Sequence, residues 1–371
     1  MKKLAFAAAM AVGATTFAQA QTLTVMNAIE SGHHDPARTS AGSPLMYLVG
    51  DTLVSIDYDL KTIKPLLAKS WTVSEDGKTY TFQLRDDVTF CSGKKFTAKD
   101  AVFSFKRVVD KETKSPFYWR MGSVKDIRAP DDTTLVYELN EPFNELLPNL
   151  AVFQATILNE DDVKNLGRDF GVKGIDGTGP YCFTSWEPRN QTVLTRRSEY
   201  KWGPPFYKNT GPAKYEKIVF KIVPEEAARL AAMASGQVDM TFTMPDQYIP
   251  QVSRMPTISV LRPEAQLRTF YFGFKTTREN VSDVRVRKAL SMAIERKPIV
   301  DSVYFGNAEV AATYTHPKTP GFDPAIPMDL GKYDPKESAR LLDEAGWKMG
   351  PDNFRYKDGK KLTLQLYGFA G

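Results

Sequence analysis

Histidine and cysteine are the side chains best suited to chemistry in this chain, and both are rare: 371 residues include three histidines and two cysteines. His33 and His34 are adjacent and precede Asp35, and these residue types can ligate a metal ion. Adjacent histidines in a loop rarely form a metal site without further ligands nearby, and the third histidine, His316, is distant in sequence. We therefore predict no bound metal and no other cofactor.

Residues 1–20 have the pattern of a signal peptide. Two lysines are followed by an apolar stretch from Leu4 to Phe17 and by Ala18-Gln19-Ala20, which matches an A-x-A cleavage site. The apolar stretch is shorter than the roughly 20 residues that span a bilayer. The sequence therefore predicts an exported chain with its leader removed.

The two cysteines, Cys91 and Cys182, would enter an oxidising compartment after export. An even cysteine count in such a chain is typical of a disulfide. The alternative is two separate buried thiols, each packed as a small apolar side chain. Spacing does not give geometry, so the sequence leaves both possibilities open.

Signals for catalysis or for nucleic-acid binding are weak. The formal charge of +5 is spread along the chain without a basic run, so no nucleic-acid partner is predicted. No G-x-S-x-G pattern occurs, and the histidines have no catalytic context. The glycines at 174–179 lack the lysine and helix of a phosphate-binding loop. We predict that the chain is not an enzyme, with an exported hydrolase of small or peptide-like substrates as the alternative.

The best-defined local structure lies between Leu67 and Val109. Trp71 and Val73 alternate with polar residues, a Glu-Asp-Gly turn follows, and the alternation resumes through Leu84. The sequence therefore predicts a β-hairpin with one buried face, to which Trp71 and Val73 belong. Thr97 and Asp100 have capping-box spacing ahead of an amphipathic helix. That helix is predicted to bury one stripe of residues: Ala101, Val102, Phe105, Val108 and Val109.

The same stretch resembles a known family. Its pattern includes Ala68-x-Ser70-Trp71, the segment from Ser74 to Arg85, and Phe90-x-x-Gly93-x-x-Phe96-Thr97-Ala98-x-Asp100. This long pattern of fixed spacing resembles the family 5 extracellular solute-binding proteins, the peptide- and nickel-binding receptors of ABC importers. The resemblance continues in Gly177-Thr178-Gly179-Pro180-Tyr181 and from Asp283 to Ile294, and it covers nearly all of the chain after the first twenty residues.

The resemblance implies an α/β fold of the periplasmic-binding-protein type, class II, with two lobes and a hinge. The expected organisation is a signal peptide at 1–20, a discontinuous first lobe at 21–50 and 178–255, a small inserted subdomain at 51–177, and a partial second lobe at 256–371. The implied function is capture of a peptide or similar small solute in an interlobe cleft, in the periplasm. An inner-membrane ABC permease would receive the solute from a monomeric receptor.

Site residues also follow from the resemblance. The family has a loop ending in Asp-Pro at the cleft edge, which makes His33, His34 and Asp35 candidate ligand contacts. Aromatic side chains of the smaller lobe face the cleft in peptide-binding members, so Tyr118 and Trp119 are further candidates. Gly177 and Gly179 are predicted at the hinge. Which solute is bound does not follow from these residues.

The family pattern also leads to an expectation about length. Members normally run well past this length, and the segment expected to hold an acidic residue for a peptide amine is not found here. The alternating residues from Lys361 to Tyr367 are typical of a strand entering the second lobe. We therefore expect an incomplete C-terminal lobe that binds solute poorly, the alternative being a compact natural form.

Overall fold

The computed structural model describes residues 21–30, 32–39, 44–261, 269–317, 319, 321–327, 329 and 331–368. The predicted signal peptide lies outside the described residues. The chain divides into two compact units, of which the first ends at Thr243 and the second begins at Met244.

The strands are β1 (Thr22–Asn27), β2 (Val54–Ile56), β3 (Ile63–Pro65), β4 (Ala68–Val73), β5 (Thr79–Leu84), β6 (Val124–Asp131), β7 (Thr134–Leu139), β8 (Tyr181–Glu187), β9 (Gln191–Arg196), β10 (Lys217–Ile222), β11 (Met240–Thr241), β12 (Lys348–Met349), β13 (Arg355–Lys357) and β14 (Lys360–Lys361). The α-helices are α1 (Met46–Val49), α2 (Ala98–Val109), α3 (Leu146–Asn149), α4 (Glu160–Leu166), α5 (Glu226–Ala234), α6 (Ile249–Val252), α7 (Glu279–Ser282), α8 (Val284–Met292), α9 (Arg296–Ser302) and α10 (Pro335–Glu344). Short 3₁₀ helices lie at Tyr118–Met121, Phe153–Ala155, Gly167–Asp169 and Asp246–Tyr248.

A five-stranded mixed sheet forms one half of the first unit, in the order β11-β1-β10-β9-β8. β1 is parallel to both of its neighbours, whereas β10, β9 and β8 pair antiparallel. Along β10 the buried residues are Ile218 and Phe220, the period of two expected for a strand with one covered face. The chain leaves this sheet after β1 and returns to it at β8.

The intervening residues build a separate antiparallel sheet in the order β4-β5-β7-β6, on which α2 packs. Its core contains Phe82, Phe105 and Tyr137. Tyr200 and Trp202 also pack in this core, although they lie outside the 51–177 range predicted for the inserted subdomain. The second unit begins at Met244, while the sequence-based prediction placed the start of the second lobe at 256.

The predicted hairpin and capping box are both confirmed. β4 pairs antiparallel with β5, and at the start of α2 the Thr97 amide donates to the Asp100 carboxylate over 2.9 Å. Two details of the predicted burial were wrong. Val73 is exposed, because β4 ends in the turn there, and Val102 and Val109 are only half-buried at the margin of the α2 stripe.

The second unit has its own small core. α8 packs against α10, and the buried residues there include Val286, Leu341 and Trp347. Asp334 begins α10 by accepting a hydrogen bond from the Glu337 amide over 2.9 Å, as expected of an N-cap aspartate. A three-stranded antiparallel sheet, β12-β13-β14, follows this helix.

Candidate functional site

Gly177 and Gly179 lie where the chain returns to the five-stranded sheet, at a close approach to the end of α1. A Cβ on Gly177 would fall 2.1 Å from the Val49 carbonyl oxygen, and one on Gly179 would fall 2.4 Å from that of Leu48. The Gly179 amide donates to Val49 O over 2.9 Å, and the Cys91 amide donates to Gly177 O over 2.9 Å. These contacts hold the two glycines in a tightly packed junction. None of them tests a hinge motion, so the hinge at these residues stays a prediction.

The side chain of Asp51 is buried directly beside this junction. Its carboxylate accepts hydrogen bonds from Trp202 Nε1 over 2.9 Å, from Thr178 Oγ1 over 3.1 Å and from the Tyr200 hydroxyl over 3.2 Å. Burial raises the pKa of Asp51 to about 6, and the three donors together with the charge of Arg197 limit the rise. An acid with this pKa titrates near neutral pH, unlike an exposed aspartate.

Arg197 is a cation whose charge acts on this buried acid, and it is itself almost fully enclosed. Its Nη2 donates to the Phe90 carbonyl over 2.9 Å, and its Nε binds Glu199 over 2.7 Å. The guanidinium lies 5.0 Å from the centre of the Trp202 ring. Arg197 therefore joins Phe90, in the segment that follows β5, to residues that follow β9.

Side chains from several separate segments form an exposed aromatic region whose charges act on one another. We call the four rings and one cation of this region the Arg120 surface: Tyr47, Tyr58, Trp119, Tyr207 and Arg120. The Tyr58 and Tyr207 rings stack with their centres 6.1 Å apart. Burial raises the pKa of Tyr207, and the charges of Tyr58, Asp51 and Tyr47 add to that rise.

Arg120 gives the surface its charge. Its guanidinium lies 5.0 Å from the centre of the Trp119 ring and 5.8 Å from that of Phe117. It is also close to Tyr47, where burial raises the pKa of the hydroxyl and the positive charge of Arg120 opposes that rise. Rings of this kind with a fixed cation are suited to binding a flat or apolar solute with a polar end.

The predicted contacts Tyr118 and Trp119 are both exposed, at 63% and 53% of their surface. They lie in the 3₁₀ helix Tyr118–Met121, and Trp119 belongs to the Arg120 surface. Their contact with a solute stays a prediction. No local pattern in the sequence distinguishes Tyr47, Tyr58, Arg120 or Tyr207, which come from separate segments of the chain.

The predicted contacts His34 and Asp35 are turned into the protein. Asp35 binds Arg107 through two hydrogen bonds of 2.8 and 2.5 Å, and its side chain is only 4% exposed. Arg107 also lies 5.5 Å from the Phe170 ring centre. We call these residues, together with His34, the Arg107 cluster. The Asp35 carboxylate is therefore occupied by an internal ion pair.

The His34 ring packs against Trp186, with the ring centres 4.9 Å apart. Neither of its ring nitrogens has a hydrogen-bond partner among the described residues. Burial lowers the pKa of His34 to about 4, and Glu30 and His33 act in opposite directions on it. His34 is thus held as a neutral ring, while His33 is half-buried beside it. Contact of these residues with a solute stays a prediction.

A disulfide joins Cys91 to Cys182, with the two Cα atoms 5.8 Å apart. Of the two alternatives left open by the sequence, the structure has the bridge. The bridge connects Cys91, in the segment that follows β5, to Cys182 in β8. Since the Cys91 amide donates to Gly177 O, the bridge reinforces the junction beside Asp51. The effect of such a bridge on stability grows with the length of the loop that it closes.

A groove of about 540 Å³ beside α2 is a second candidate site for a ligand. Its cations are Lys106, Arg107 and Lys164. Each is paired with an acid: Lys106 with Asp126, Arg107 with Asp35, and Lys164 with Glu160. The three cations of this groove are therefore already neutralised by acids of the same chain.

In the part of the chain that the structure describes, no group of three His, Cys, Asp or Glu side chains is placed to hold a metal ion. None of the described helices combines the length and the apolar character needed to cross a bilayer.

Known proteins share this architecture. The crystal structure of NikZ from Campylobacter jejuni in complex with Ni(L-His) has a TM-score of 0.78 and 26% identity, covering 92% of this chain and 66% of that chain. The ABC transporter-associated periplasmic binding protein DppA from Helicobacter pylori, in complex with peptide STSA, has a TM-score of 0.76 and 28% identity, covering 88% and 66%. The fold is therefore the predicted α/β fold of periplasmic binding proteins.

The sequence comparison identifies the family. The model of the bacterial extracellular solute-binding proteins, family 5 Middle, matches residues 62–368. This chain belongs to that family, as predicted. The nickel-binding periplasmic protein of Escherichia coli (strain K12) is 30% identical over 326 residues, which are 86% of this chain and 60% of that protein. The chain thus spans about three fifths of this curated relative.

Proposed function

We propose that this chain is the solute-binding component of an ABC importer. It captures a peptide or similar small solute in the periplasm and delivers it, as a monomer, to an inner-membrane permease. The family comprises solute-binding proteins, so the exported hydrolase considered from the sequence is not favoured.

The observation that carries this proposal is the Arg120 surface. Tyr58 and Trp119 are exposed at 73% and 53% of their surface, and Tyr47 and Tyr207 at 54% and 48%. Exposed aromatic rings grouped around one cation are expected at a binding site, because single exposed apolar residues are common on surfaces but groups of them are not. No hydrogen bond, ion pair or ring contact links this surface to the Arg107 cluster within the described ranges.

The relatives indicate two classes of solute. The Escherichia coli relative is a nickel-binding protein and the Campylobacter jejuni structure contains Ni(L-His), whereas the Helicobacter pylori structure contains a peptide. We favour the peptide class because the Arg120 surface presents rings and a cation, which suit a peptide side chain and a peptide carboxylate. A metal ion would instead need several nitrogen, sulfur or oxygen ligands.

The test is a thermal-shift titration of the chain with a pool of di- and tripeptides and, separately, with Ni²⁺ plus L-histidine. A solute that binds only the folded state must raise the melting temperature. We expect a rise with the peptide pool that is reduced in Trp119→Ala and kept in Tyr333→Ala, a matched exposed aromatic of the second unit. A rise with nickel and histidine alone would replace the peptide by a metal chelate. No rise with either, at solute concentrations high enough to detect weak binding, would contradict the proposal.

A further inference from the structure

Asp51 joins segments that are far apart in the sequence. Its amide donates to Thr178 Oγ1 over 3.1 Å, and its carbonyl oxygen accepts from the Ile157 amide over 2.9 Å. Its carboxylate accepts from Trp202 Nε1 and from the Tyr200 hydroxyl. The residue is only 5% exposed, and a buried carboxylate is stable only where donors replace the water that it has lost. The neutral side-chain donors around Asp51 meet that need.

The two aromatic donors stand at the start of the loop that carries Tyr207. The ring centres of Tyr200 and Trp202 lie 4.9 Å apart. Immediately after Trp202, the Gly203 amide donates to the carbonyl oxygen of Thr210 over 2.9 Å, which closes the loop around Tyr207. Holding Tyr200 and Trp202 in place therefore fixes the base of this loop.

In the same loop, Phe206 and Tyr207 contact Tyr58 of the Arg120 surface. The ring centre of Tyr58 lies 5.1 Å from that of Phe206 and 6.1 Å from that of Tyr207. The charge of Asp51 also acts on the Tyr207 hydroxyl and adds to the rise of its pKa. Rings that are already held in place bind a solute more tightly than rings that must be ordered on binding, because that ordering costs free energy.

We propose that Asp51 is a positioning residue of the solute site: its ionised carboxylate holds the base of this loop and thereby keeps the rings of Tyr58 and Tyr207 arranged for solute. This inference rests on the proposed solute-binding function and adds a dependence on pH to it. A protonated carboxyl group carries a donor on one oxygen. Protonation of Asp51 must therefore reverse or break either the bond of Tyr200 to Oδ1 or the bonds of Trp202 and Thr178 to Oδ2.

The groups around Asp51 set the pH at which this change occurs. Burial raises the pKa of Asp51 to about 6, and its three donors and the charge of Arg197 oppose the rise. The other titratable groups whose charges interact with it are the hydroxyls of Tyr200 and Tyr207. Burial raises the pKa of both hydroxyls above the ordinary tyrosine value, so they stay neutral. Asp51 is therefore the group of this network that titrates between pH 5 and pH 7.

The first measurement follows the indole N–H signal of Trp202 by NMR in the full chain labelled with isotopic tryptophan, and Trp202→Phe identifies that signal. We expect the signal to titrate with a midpoint near pH 6. Tyr200→Phe removes a donor that favours the ionised carboxylate, so the midpoint is expected to move upward. In Asp51→Asn the titration is absent.

The second measurement is equilibrium dialysis of the dipeptide pool at pH 5 and pH 7, between which the terminal groups of a peptide largely keep their charges. We expect binding to be about fivefold weaker at pH 5. In Asp51→Asn binding is as weak at pH 7 as at pH 5. Asp162→Asn makes the same change at a half-buried acid outside this network, and it is expected to keep the pH dependence.

Thermodynamic coupling supplies a check that needs no variant. If protonation of Asp51 weakens solute binding, bound solute must oppose that protonation to the same extent. Saturating dipeptide is therefore expected to lower the midpoint of the Trp202 signal. If Asp51→Asn does not fold, as its urea-unfolding midpoint shows, this shift and the upward shift in Tyr200→Phe decide the question.

The possible outcomes separate the inference from the proposed function. Equal binding at pH 5 and pH 7, a pH dependence that persists in Asp51→Asn, or a Trp202 midpoint that dipeptide does not move would overturn the role of Asp51 and leave solute binding intact. Binding at neither pH would contradict both the inference and the peptide-binding function. A pH dependence that disappears in Asp51→Asn and survives in Asp162→Asn is the supporting result.

Discussion

Arg107 and Arg120 lie in the same compact unit, and both are half-buried against an aromatic ring. They differ in whether an acidic side chain neutralises their charge. Asp35 neutralises Arg107 inside the protein, with side-chain exposures of 15% and 4% for the arginine and the acid. Arg120 has an amide as its hydrogen-bond partner. The difference teaches that the chain neutralises one of these half-buried cations with an acid of its own and provides the other with a neutral partner only.

Among the variants that test this comparison, Arg107→Ala is expected to lose the most stability. Removing the arginine leaves the Asp35 carboxylate buried without its partner, and breaking a buried pair in this way costs about 3–5 kcal/mol. Urea unfolding of the variant measures the loss. Lys106→Ala is the matched control, because its pair with Asp126 is exposed and should contribute about 1 kcal/mol or less. A loss as small in Arg107→Ala as in the control would contradict the structural role of the Arg107 cluster.

The second prediction concerns pH and two buried titratable groups, His34 in the Arg107 cluster and Asp51 beside Thr178. The pKa of His34 is lowered from 6.5 to about 4, so its contribution to stability is present above pH 6.5 and is lost as the pH falls toward 4. The pKa of Asp51 is raised from 3.8 to about 6, so its contribution is present below about pH 4 and is lost as the pH rises through 6. As the pH falls, His34 therefore lowers the stability of the folded chain, whereas Asp51 raises it.

Each of these contributions is at most about 3 kcal/mol, since one pKa unit corresponds to about 1.4 kcal/mol. We expect Asp51→Asn to become less stable between pH 7 and pH 4.5 relative to the parent chain, and His34→Gln to become relatively more stable. Urea midpoints at both pH values measure the change. The charged neighbours are Glu30 and His33 for His34, and Arg197 for Asp51. If both variants became more stable, or both less stable, relative to the parent chain from pH 7 to pH 4.5, the predicted opposite effects of His34 and Asp51 would be refuted.

The smallest effect on stability is expected from Trp119→Ala. A half-exposed ring contributes little to stability, so we expect its truncation to lower the free energy of unfolding by about 1 kcal/mol or less. The same change is expected to weaken solute binding. Thermal or urea unfolding without solute tests this. A loss of about 3 kcal/mol would instead show that Trp119 is a packed core residue.

Local features of this fold could be predicted from the sequence because nearby residues determine them. The hairpin of β4 and β5 follows from alternation and a glycine turn, and the start of α2 follows from the spacing of Thr97 and Asp100. The family followed from a pattern of the same local kind. The residues that determine each of these elements lie within a few positions of one another in the sequence.

The candidate site could not be predicted in the same way. His34 and Asp35 are neighbours in sequence, but the fold directs one to Trp186 and the other to Arg107, 72 residues away. Tyr58 and Tyr207 meet only because their turns are brought together by tertiary packing. A single sequence contains no signal for such distant pairs, so Trp119 could be proposed while Arg120, the next residue, was missed.

The bridge between Cys91 and Cys182 has a consequence for how the chain responds to a protease. The loop that it closes contains α2 and the exposed turn around Lys114, which has a positive φ of 51°. A single tryptic cut after Lys114 would therefore produce two peptides that remain one covalent molecule. On a gel without reductant the nicked protein keeps the mobility of the full chain, and it separates into two bands only after the sulfur–sulfur bond is reduced.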